Sequence, residues 1–323
     1  MAEVEHFAPA VRAADGADTR LFLIPGNPGV VALYRGFARA LLKHAAKTLH
    51  SVTCVGYVGH LTAPGAGHSS ERRVSLAGQI NSTQREVERW IDAQPPGSPL
   101  VLAGHSIGSH VALQVFGRLD RHRQERIDCV ALIFPALADL AHTEGGERFA
   151  PLLSSAARCS LAVTLASGFA LLPRDVRSAA ARLILGRSDA NVEVDDAGTT
   201  LGDVLADAIC GSTVCAVLTM ARHEMVDVRA LDDAPLRAVV GGREPTPLVA
   251  LFTEGDPWCD ASLPRAVEEA CDDGERCIVR CFRRDEEGAQ DPHPEHAFVR
   301  RAEDVDAVST ALFALLRRAG LAM

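Results

Sequence analysis

The chain has 323 residues, enough for one large α/β domain with an insertion, and its formal net charge of -9 without a basic run argues against a nucleic-acid partner. Its nine cysteines are odd in number and form no C-x-x-C pair, which favours reduced thiols over a disulfide framework or a zinc site. The N-terminus is polar and carries acids, unlike a signal or transit peptide, and no segment reaches the roughly 17–25 apolar residues that span a bilayer, so we expect an intracellular protein.

Short apolar runs alternate with helix-like patterns in the first part of the chain. We predict strands at residues 21–24, 51–57, 100–103 and 129–134, and helices at 30–42, 75–93 and 110–118. This alternation is typical of a parallel sheet with helices on both faces. The loop after residue 57 carries His60 and His68, neither with a partner at metal-ligand spacing, and we interpret both as solvated loop residues.

The most informative motif is G-x-S-x-G at residues 104–108, which stands between a predicted strand and a predicted helix. A serine on such a turn has a strained backbone that presents its hydroxyl, and Gly104 and Gly108 leave room for the neighbouring strand and helix. Ser106 is therefore the candidate nucleophile, and the amide of Ile107 at the helix N-terminus is a candidate oxyanion donor. The alternative is a glycine-rich turn whose serine only caps the helix.

A second oxyanion donor is expected in the turn at residues 25–29, Pro-Gly-Asn-Pro-Gly, which follows the first predicted strand. An α/β-hydrolase places its second donor in a loop of this kind, ahead of the nucleophile. The backbone N–H near Asn27 is our candidate, since Pro28 has no N–H. A tight turn with only a structural role is the alternative.

The alternation stops between residues 135 and about 247, after the strand that follows the nucleophile strand. We predict a helical lid at residues 139–245, which divides the core into 1–138 and 246–323. Lid helices are expected at 177–185 and 204–218, and we interpret the apolar stretch 161–172 as a core helix rather than an interfacial one. Strands at 248–252 and 277–282 and an amphipathic helix at 303–316 then complete the core.

An acid and a base for Ser106 are expected after it in the order Asp, His. Asp256 lies in a turn just after the strand at 248–252 and is the favoured acid, with Asp260 and Glu254 as competitors. For the base, His296 precedes the apolar Ala-Phe-Val run at 297–299, which can anchor it, whereas His293 lies between two prolines. We therefore predict His296 as the base.

These motifs resemble those of the lipid droplet-associated hydrolase family, over nearly the whole chain. The resemblance is carried by IPGNPG at 24–29 with Tyr34 after it, GHSIG at 104–108, FPAL at 134–137, MARHEM at 220–225, GDPWCD at 255–260 and HAFV at 296–299. Two departures are the segment after FPAL and Pro257, where a glycine is common in the family. The resemblance implies an α/β-hydrolase fold, a mostly parallel sheet flanked by helices with a helical lid, in which Ser106, Asp256 and His296 form the triad.

The same resemblance implies a serine hydrolase that cleaves lipid esters, such as sterol esters or acylglycerols, and needs no metal or organic cofactor. It also implies peripheral association with the surface of lipid droplets or the endoplasmic reticulum. Two alternatives stay open: acyl transfer or thioester cleavage by the same residues, and a lipid-droplet surface protein with little or no turnover, bound through apolar lid segments such as 161–172.

Overall fold

The computed structural model describes residues 2–8, 18–61, 74–241, 245–271, 276–283 and 293–321. His68 and most of its loop lie outside the described residues. The strands are β1 (Val4–Phe7), β2 (Thr19–Ile24), β3 (Leu49–Val55), β4 (Leu100–His105), β5 (Cys129–Ile133), β6 (Leu248–Thr253) and β7 (Cys277–Phe282). The helices are α1 (Arg35–His44), α2 (Leu76–Asp92), α3 (Ile107–Arg118), α4 (Arg121–Gln124), α5 (Glu144–Leu153), α6 (Ala156–Ala170), α7 (Arg174–Leu185), α8 (Arg187–Ala190), α9 (Leu201–Ala208), α10 (Gly211–Asp227), α11 (Asp233–Val240), α12 (Leu263–Cys271) and α13 (Ala302–Arg318).

The seven strands form one sheet in the order β1-β3-β2-β4-β5-β6-β7. Every neighbouring pair is parallel except β1 and β3, which are antiparallel. The predicted, mostly parallel sheet is confirmed, and the six predicted strands match within about three residues. The edge strand β1 was not predicted, because its four residues, Val-Glu-His-Phe, form neither an apolar run nor a polar-apolar alternation.

Helices cover both faces of the sheet. The helices α1 and α13 pack on one face through residues such as Phe37, Leu41 and Leu312. On the other face lie α2, α3, α11 and α12, where Val111 and Leu236 are fully buried. Because β4 is central and every one of its residues is buried, its end at Ser106 is fixed by packing from both layers.

A helical insertion separates β5 from β6 and comprises α5 to α11. Ion pairs connect it to the core helix α1: Arg35 lies 3.6 Å from Asp195, and Arg39 lies 2.8 Å from Asp196. Its last helix, α11, contributes to the hydrophobic core beside α3. The insertion falls within the predicted lid range, 139–245, whose boundaries stay a prediction.

Two predictions about the insertion are wrong. The helix expected at 204–218 is two helices, α9 and α10, which meet at an angle of 89° around residues 209–210. The stretch 161–172 is not a core helix: Leu161, Leu165 and Leu171 are 58%, 65% and 86% exposed. Length alone could not separate a core helix from a surface one, because α6 packs against α10 along one side and leaves its other side to solvent.

In the described part of the chain, no single helix is long and apolar enough to cross a membrane. Two sharply bent pairs, α5 with α6 and α9 with α10, reach that length and composition only when taken together.

Candidate active site

Ser106 occupies the sharp turn between β4 and α3. Its φ of 55° and ψ of -127° form a backbone conformation that costs a non-glycine residue free energy and is found at functional sites. A Cβ on Gly104 would lie 2.2 Å from the carbonyl oxygen of Gly108, and a Cβ on Gly108 would lie 2.3 Å from that of Ile24. Both glycines are therefore required by backbone contacts, as the motif predicts.

The structure brings Ser106 together with the predicted base and acid. His296 Nε2 lies 2.8 Å from Ser106 Oγ, and His296 Nδ1 lies 2.7 Å from Asp256 Oδ2. The competing residues lie elsewhere: His293 faces Thr253 at 3.4 Å, and Asp260 accepts hydrogen bonds from Ser262. This arrangement can remove a proton from the serine hydroxyl and stabilise the resulting imidazolium.

Packing and hydrogen bonds fix both partners of Ser106. Asp256 is 8% exposed, and its Oδ1 accepts a hydrogen bond from the amide of Trp258 at 2.8 Å. Beside His296, the fully buried Phe298 packs edge-on against Phe37, with ring centroids 4.8 Å apart. Phe298 of the apolar run that follows His296 is thus held in the core.

The turn at residues 25–29, which we call the β2 turn, lies against Ser106: a Cβ on Gly26 would be 3.0 Å from Ser106 Cβ. The N–H of Gly26 donates to Tyr34 Oη at 2.8 Å, and the N–H of Gly29 donates to His60 Nδ1 at 3.0 Å. Prolines 25 and 28 have no N–H. Among the amides of this turn, that of Asn27 is left available for a ligand.

Ile107 begins α3, and no side chain caps this helix. In the first turn of a helix, amides such as that of Ile107 point toward the N-terminal end, where a negative charge is favoured. The two predicted oxyanion donors, Asn27 and Ile107, flank Ser106 on the β2 turn and on α3.

The interpretation of His60 as a solvated loop residue is wrong. His60 is fully buried, and burial lowers the pKa of its imidazole to about 3, so the ring is neutral and accepts the N–H of Gly29. The spacing of His60 from other residues excludes only a metal-ligand pattern. It gives no indication of a hydrogen bond to a backbone amide 31 residues away.

A buried hydrogen-bond chain that the sequence did not reveal connects the β2 turn to the backbone of His296. Tyr34 Oη accepts from Gly26 and donates to His105 Nδ1 at 2.6 Å, while His105 Nε2 donates to the carbonyl oxygen of His296 at 2.9 Å. Burial lowers the pKa of His105 well below its ordinary value, in agreement with a neutral ring that accepts at one nitrogen and donates at the other. Tyr34 and His105 stood within the family motifs, but nothing in the sequence paired them.

A cavity of about 370 Å³ opens beside Ser106 and His296. Its wall is mostly apolar and comes from both the core and the insertion: Leu33, Leu140, Leu153, Leu185, Leu201, Leu205, Val217, Leu218, Met225 and Val299. Phe149 of α5 and Trp258 also belong to this wall, and their rings stack with centroids 5.7 Å apart. One carboxyl group, that of Glu224, also faces this cavity, and burial raises its pKa to about 7.

The rest of the described structure offers no comparable combination of reactive side chains and apolar wall. Across the described residues, no group of three or more His, Cys, Asp or Glu side chains is placed to hold a metal ion. A wider groove of about 700 Å³ lies between α6 and α10 and contains none of Ser106, Asp256 or His296. The chemistry of the three residues is therefore assigned to the smaller, more apolar cavity.

Comparison with solved structures finds the same fold. A peroxisomal alpha-beta-hydrolase from Saccharomyces cerevisiae superposes with a TM-score of 0.59 at 10% identity, over 98% of this chain and 82% of that one. A soluble variant of monoglyceride lipase from Saccharomyces cerevisiae, in complex with a substrate analogue, gives a TM-score of 0.55 at 14% identity, over 98% and 91% of the two chains. At these identities, the likeness supports the fold.

Sequence comparison gives the family. The model of the family described as "Lipid-droplet associated hydrolase" matches residues 17–299. The lipid droplet-associated hydrolase of Gallus gallus is 26% identical over 78% of this chain and 74% of its own length, and that of Homo sapiens is 24% identical over 79% and 75%. The expected resemblance is thus confirmed, and the chain belongs to the lipid-droplet associated hydrolase family.

Proposed function

We propose that this α/β-hydrolase is a serine ester hydrolase that cleaves carboxylic esters of lipids through an acyl-enzyme. The observation that carries the proposal is the hydrogen-bonded series Asp256, His296 and Ser106 beside an apolar cavity of about 370 Å³. Family membership supports hydrolysis as the reaction. The names of the relatives and the apolar wall of the cavity support a lipid as the substrate.

In this mechanism, His296 Nε2 takes the proton of Ser106 Oγ as the oxygen attacks the ester carbonyl carbon. The imidazolium then donates that proton to the leaving alcohol. Water, deprotonated by His296, next attacks the acyl-enzyme, and His296 returns this proton to Ser106 Oγ as the carboxylic acid is released. Asp256 accepts from His296 Nδ1 and so selects the tautomer whose Nε2 can act as the base. The amides of Asn27 and Ile107 are the proposed donors to the oxyanion.

Labelling by a fluorophosphonate probe, together with turnover of p-nitrophenyl butyrate, tests the proposal. The parent should label and turn over, whereas Ser106→Ala should lose both and His296→Ala should lose nearly all turnover. His293→Ala is the matched control, because His293 contacts Thr253 and not Ser106. A folded parent that neither labels nor hydrolyses the ester would contradict the proposal and favour the alternative of a surface protein without turnover.

Analysis of the reaction products separates ester hydrolysis from acyl transfer, which uses the same three residues. An acyl-enzyme can be attacked by an alcohol instead of water, and a thioester can replace the ester, with the same three residues. Adding glycerol or a sterol to the assay and analysing products would show acyl transfer as a new ester formed at the expense of free acid. Dominant transfer would change the proposed reaction while leaving Ser106 as its nucleophile.

We further propose that the outer face of α6 and α7 attaches the protein peripherally to a lipid surface, that of a lipid droplet or of the endoplasmic reticulum. This face exposes Leu165, Leu171, Leu183 and Ile184, with exposed fractions of 65%, 86%, 85% and 68%. Large apolar side chains exposed in this number indicate an interaction surface, and burial in lipid would remove them from water. The names of the relatives support droplets as the surface.

Flotation with triacylglycerol emulsions coated by phospholipid tests the attachment. A Leu165→Ser, Leu171→Ser, Leu183→Ser variant should float at least several-fold less than the parent while it keeps its turnover of soluble butyrate ester. Unchanged flotation of this variant would contradict the assignment of α6 and α7.

A further inference from the structure

Glu224 is an unusual residue in the wall of the cavity. It belongs to α10 of the helical insertion, is 6% exposed, and lines the same cavity as Ser106. Placing a carboxyl group in mostly apolar surroundings is costly unless a partner compensates it. The proposed reaction steps give Glu224 no role. We therefore consider the residue to which it is hydrogen-bonded.

That partner is Asn27 of the β2 turn. Asn27 Nδ2 donates to Glu224 Oε1 at 2.9 Å and to the carbonyl oxygen of Val217 at 3.2 Å. Residues 217 and 224 are seven apart on α10 and therefore lie on one face of the helix. Both hydrogen bonds come from the one nitrogen of the Asn27 side chain, which thus joins a turn of the core to the insertion, although Glu224 lies 197 residues further along the chain.

The contacts that hold the β2 turn from the other side come from the core. Tyr34 Oη accepts from Gly26, Tyr57 Oη donates to the carbonyl of Pro25 at 2.9 Å, and His60 accepts from Gly29. Each of these side chains is uncharged and fully or almost fully buried. The core thus holds Pro25, Gly26 and Gly29 of the turn, whereas the side chain of Asn27 is held by the insertion.

We propose that Glu224 is a positioning residue that, through Asn27, places the backbone amide of the β2 turn over Ser106 and so completes the oxyanion site. The inference rests on the proposed function, because it assumes that this amide binds a developing oxyanion. The turn already touches Ser106, and a displacement of about 1 Å in such a site can lower a rate about a hundredfold. The helical insertion would then contribute to catalysis itself, and not only to substrate access.

Steady-state kinetics of the full chain with p-nitrophenyl butyrate test this role. Glu224→Ala should lower kcat at least tenfold while KM changes less than about threefold, since an oxyanion donor acts in the transition state. Glu224→Gln should stay within about threefold of the parent, because the glutamine carbonyl can accept the same hydrogen bond from Asn27. Arg222→Gln, an exposed neighbour on α10, is the control and should behave as the parent.

The pairing of the two residues is tested by a double-mutant cycle. Asn27→Ala keeps the backbone amide but removes the side chain, and should lower kcat about as much as Glu224→Ala. The double variant should be no slower than the slower single variant, because each removes the same contact. Asn27→Ala also keeps the inference testable if Glu224→Ala does not fold, as judged by circular dichroism.

Several results would overturn the inference. Additive losses in the double variant, a change confined to KM, or a Glu224→Gln variant as slow as Glu224→Ala would each contradict a positioning role through Asn27. Failure of the inference alone would appear as full kcat in Glu224→Ala or in Asn27→Ala, in a protein whose Ser106→Ala variant is inactive. A parent without labelling or turnover would overturn the proposed function and, with it, this role.

Discussion

The hydroxyl of Tyr34 lies 2.6 Å from Nδ1 of His105, and this contact connects the turn beside Ser106 to the backbone of His296. The hydroxyl also accepts the N–H of Gly26, so it both donates and accepts within a fully buried site. Such a chain has one arrangement of hydrogens, because the amide can only donate and the carbonyl of His296 can only accept. The chain therefore specifies one geometry for the site.

Tyr34→Phe should destabilise the fold by about 1–3 kcal/mol, the usual cost of leaving buried polar groups without a partner. It should also lower kcat, because Gly26 of the β2 turn loses its hydrogen bond to the Tyr34 hydroxyl. Urea denaturation and turnover of p-nitrophenyl butyrate measure the two effects. Tyr57→Phe is the matched comparison, since it removes a hydroxyl that donates to Pro25 of the same turn but leaves Gly26 and His105 bonded to Tyr34. Equal kcat in the two variants would contradict a special role for the Tyr34 chain.

Asp256→Asn should lower kcat on the order of 10³–10⁴-fold, because the amide can donate to His296 Nδ1 and so favour the tautomer that cannot act as the base. Asp260→Asn should stay near the parent, since Asp260 accepts hydrogen bonds from Ser262 and makes none to His296. Both residues occupy one turn, so the pair controls for local disturbance. A large loss of kcat in Asp260→Asn with a small loss in Asp256→Asn would contradict this prediction and make Asp260 the acid of the triad.

Much of the core and of the candidate site could be predicted because both depend on local pattern. A few neighbouring residues are enough to predict strand β4, the glycines around Ser106 and the apolar run after His296. Asp256 and His296 follow from chain order. The helical insertion was less predictable: the same apolar leucines suit a core helix or a surface one, and the choice depends on what packs against α6.

The supporting contacts of the site were not predictable for a different reason. Asn27 meets Glu224 across 197 residues, and Tyr34 meets His105 across 71. No pattern in the sequence pairs these residues, and only the folded sheet and the insertion bring the partners together. His60 shows the same limit, since its buried position depends on the packing of the β2 turn.

Phe149→Ala should weaken hydrolysis of medium-chain esters more than that of short ones. Phe149 stacks on Trp258 in the cavity wall, and an aromatic contact of this kind contributes about 0.5–1.5 kcal/mol. We expect kcat/KM to fall about 3- to 10-fold for p-nitrophenyl octanoate and less for the butyrate. Val226→Ala is the control, since Val226 is exposed on α10 and does not line the cavity. Equal losses for both chain lengths would place the acyl chain elsewhere.

The buried carboxyl of Glu224 should make the stability of the fold depend on pH. Burial is the main cause of its raised pKa, which moves from the ordinary 4.5 to about 7, while the hydrogen bond from Asn27 acts in the opposite direction. Between these two values the folded state binds more protons than the unfolded state, so this group makes the free energy of unfolding fall as pH rises from about 4.5 to 7. The fall is about 3 kcal/mol at most, from the 1.36 kcal/mol that each pKa unit represents.

Glu224→Gln removes this titration, so the variant should gain stability relative to the parent between pH 5 and pH 8. Urea denaturation gives the free energy of unfolding of both proteins at the two pH values. The gain is the change with pH in the difference between the variant and the parent, in which the titration of all other groups cancels. Glu269→Gln serves as the control, because this exposed residue of α12 pairs with Arg265 at the surface and should give nearly the same difference at both pH values. A Glu224→Gln difference that does not change with pH would mean that the carboxyl is ionised throughout this range, and the tie to Asn27 would then be a charged hydrogen bond at every pH tested.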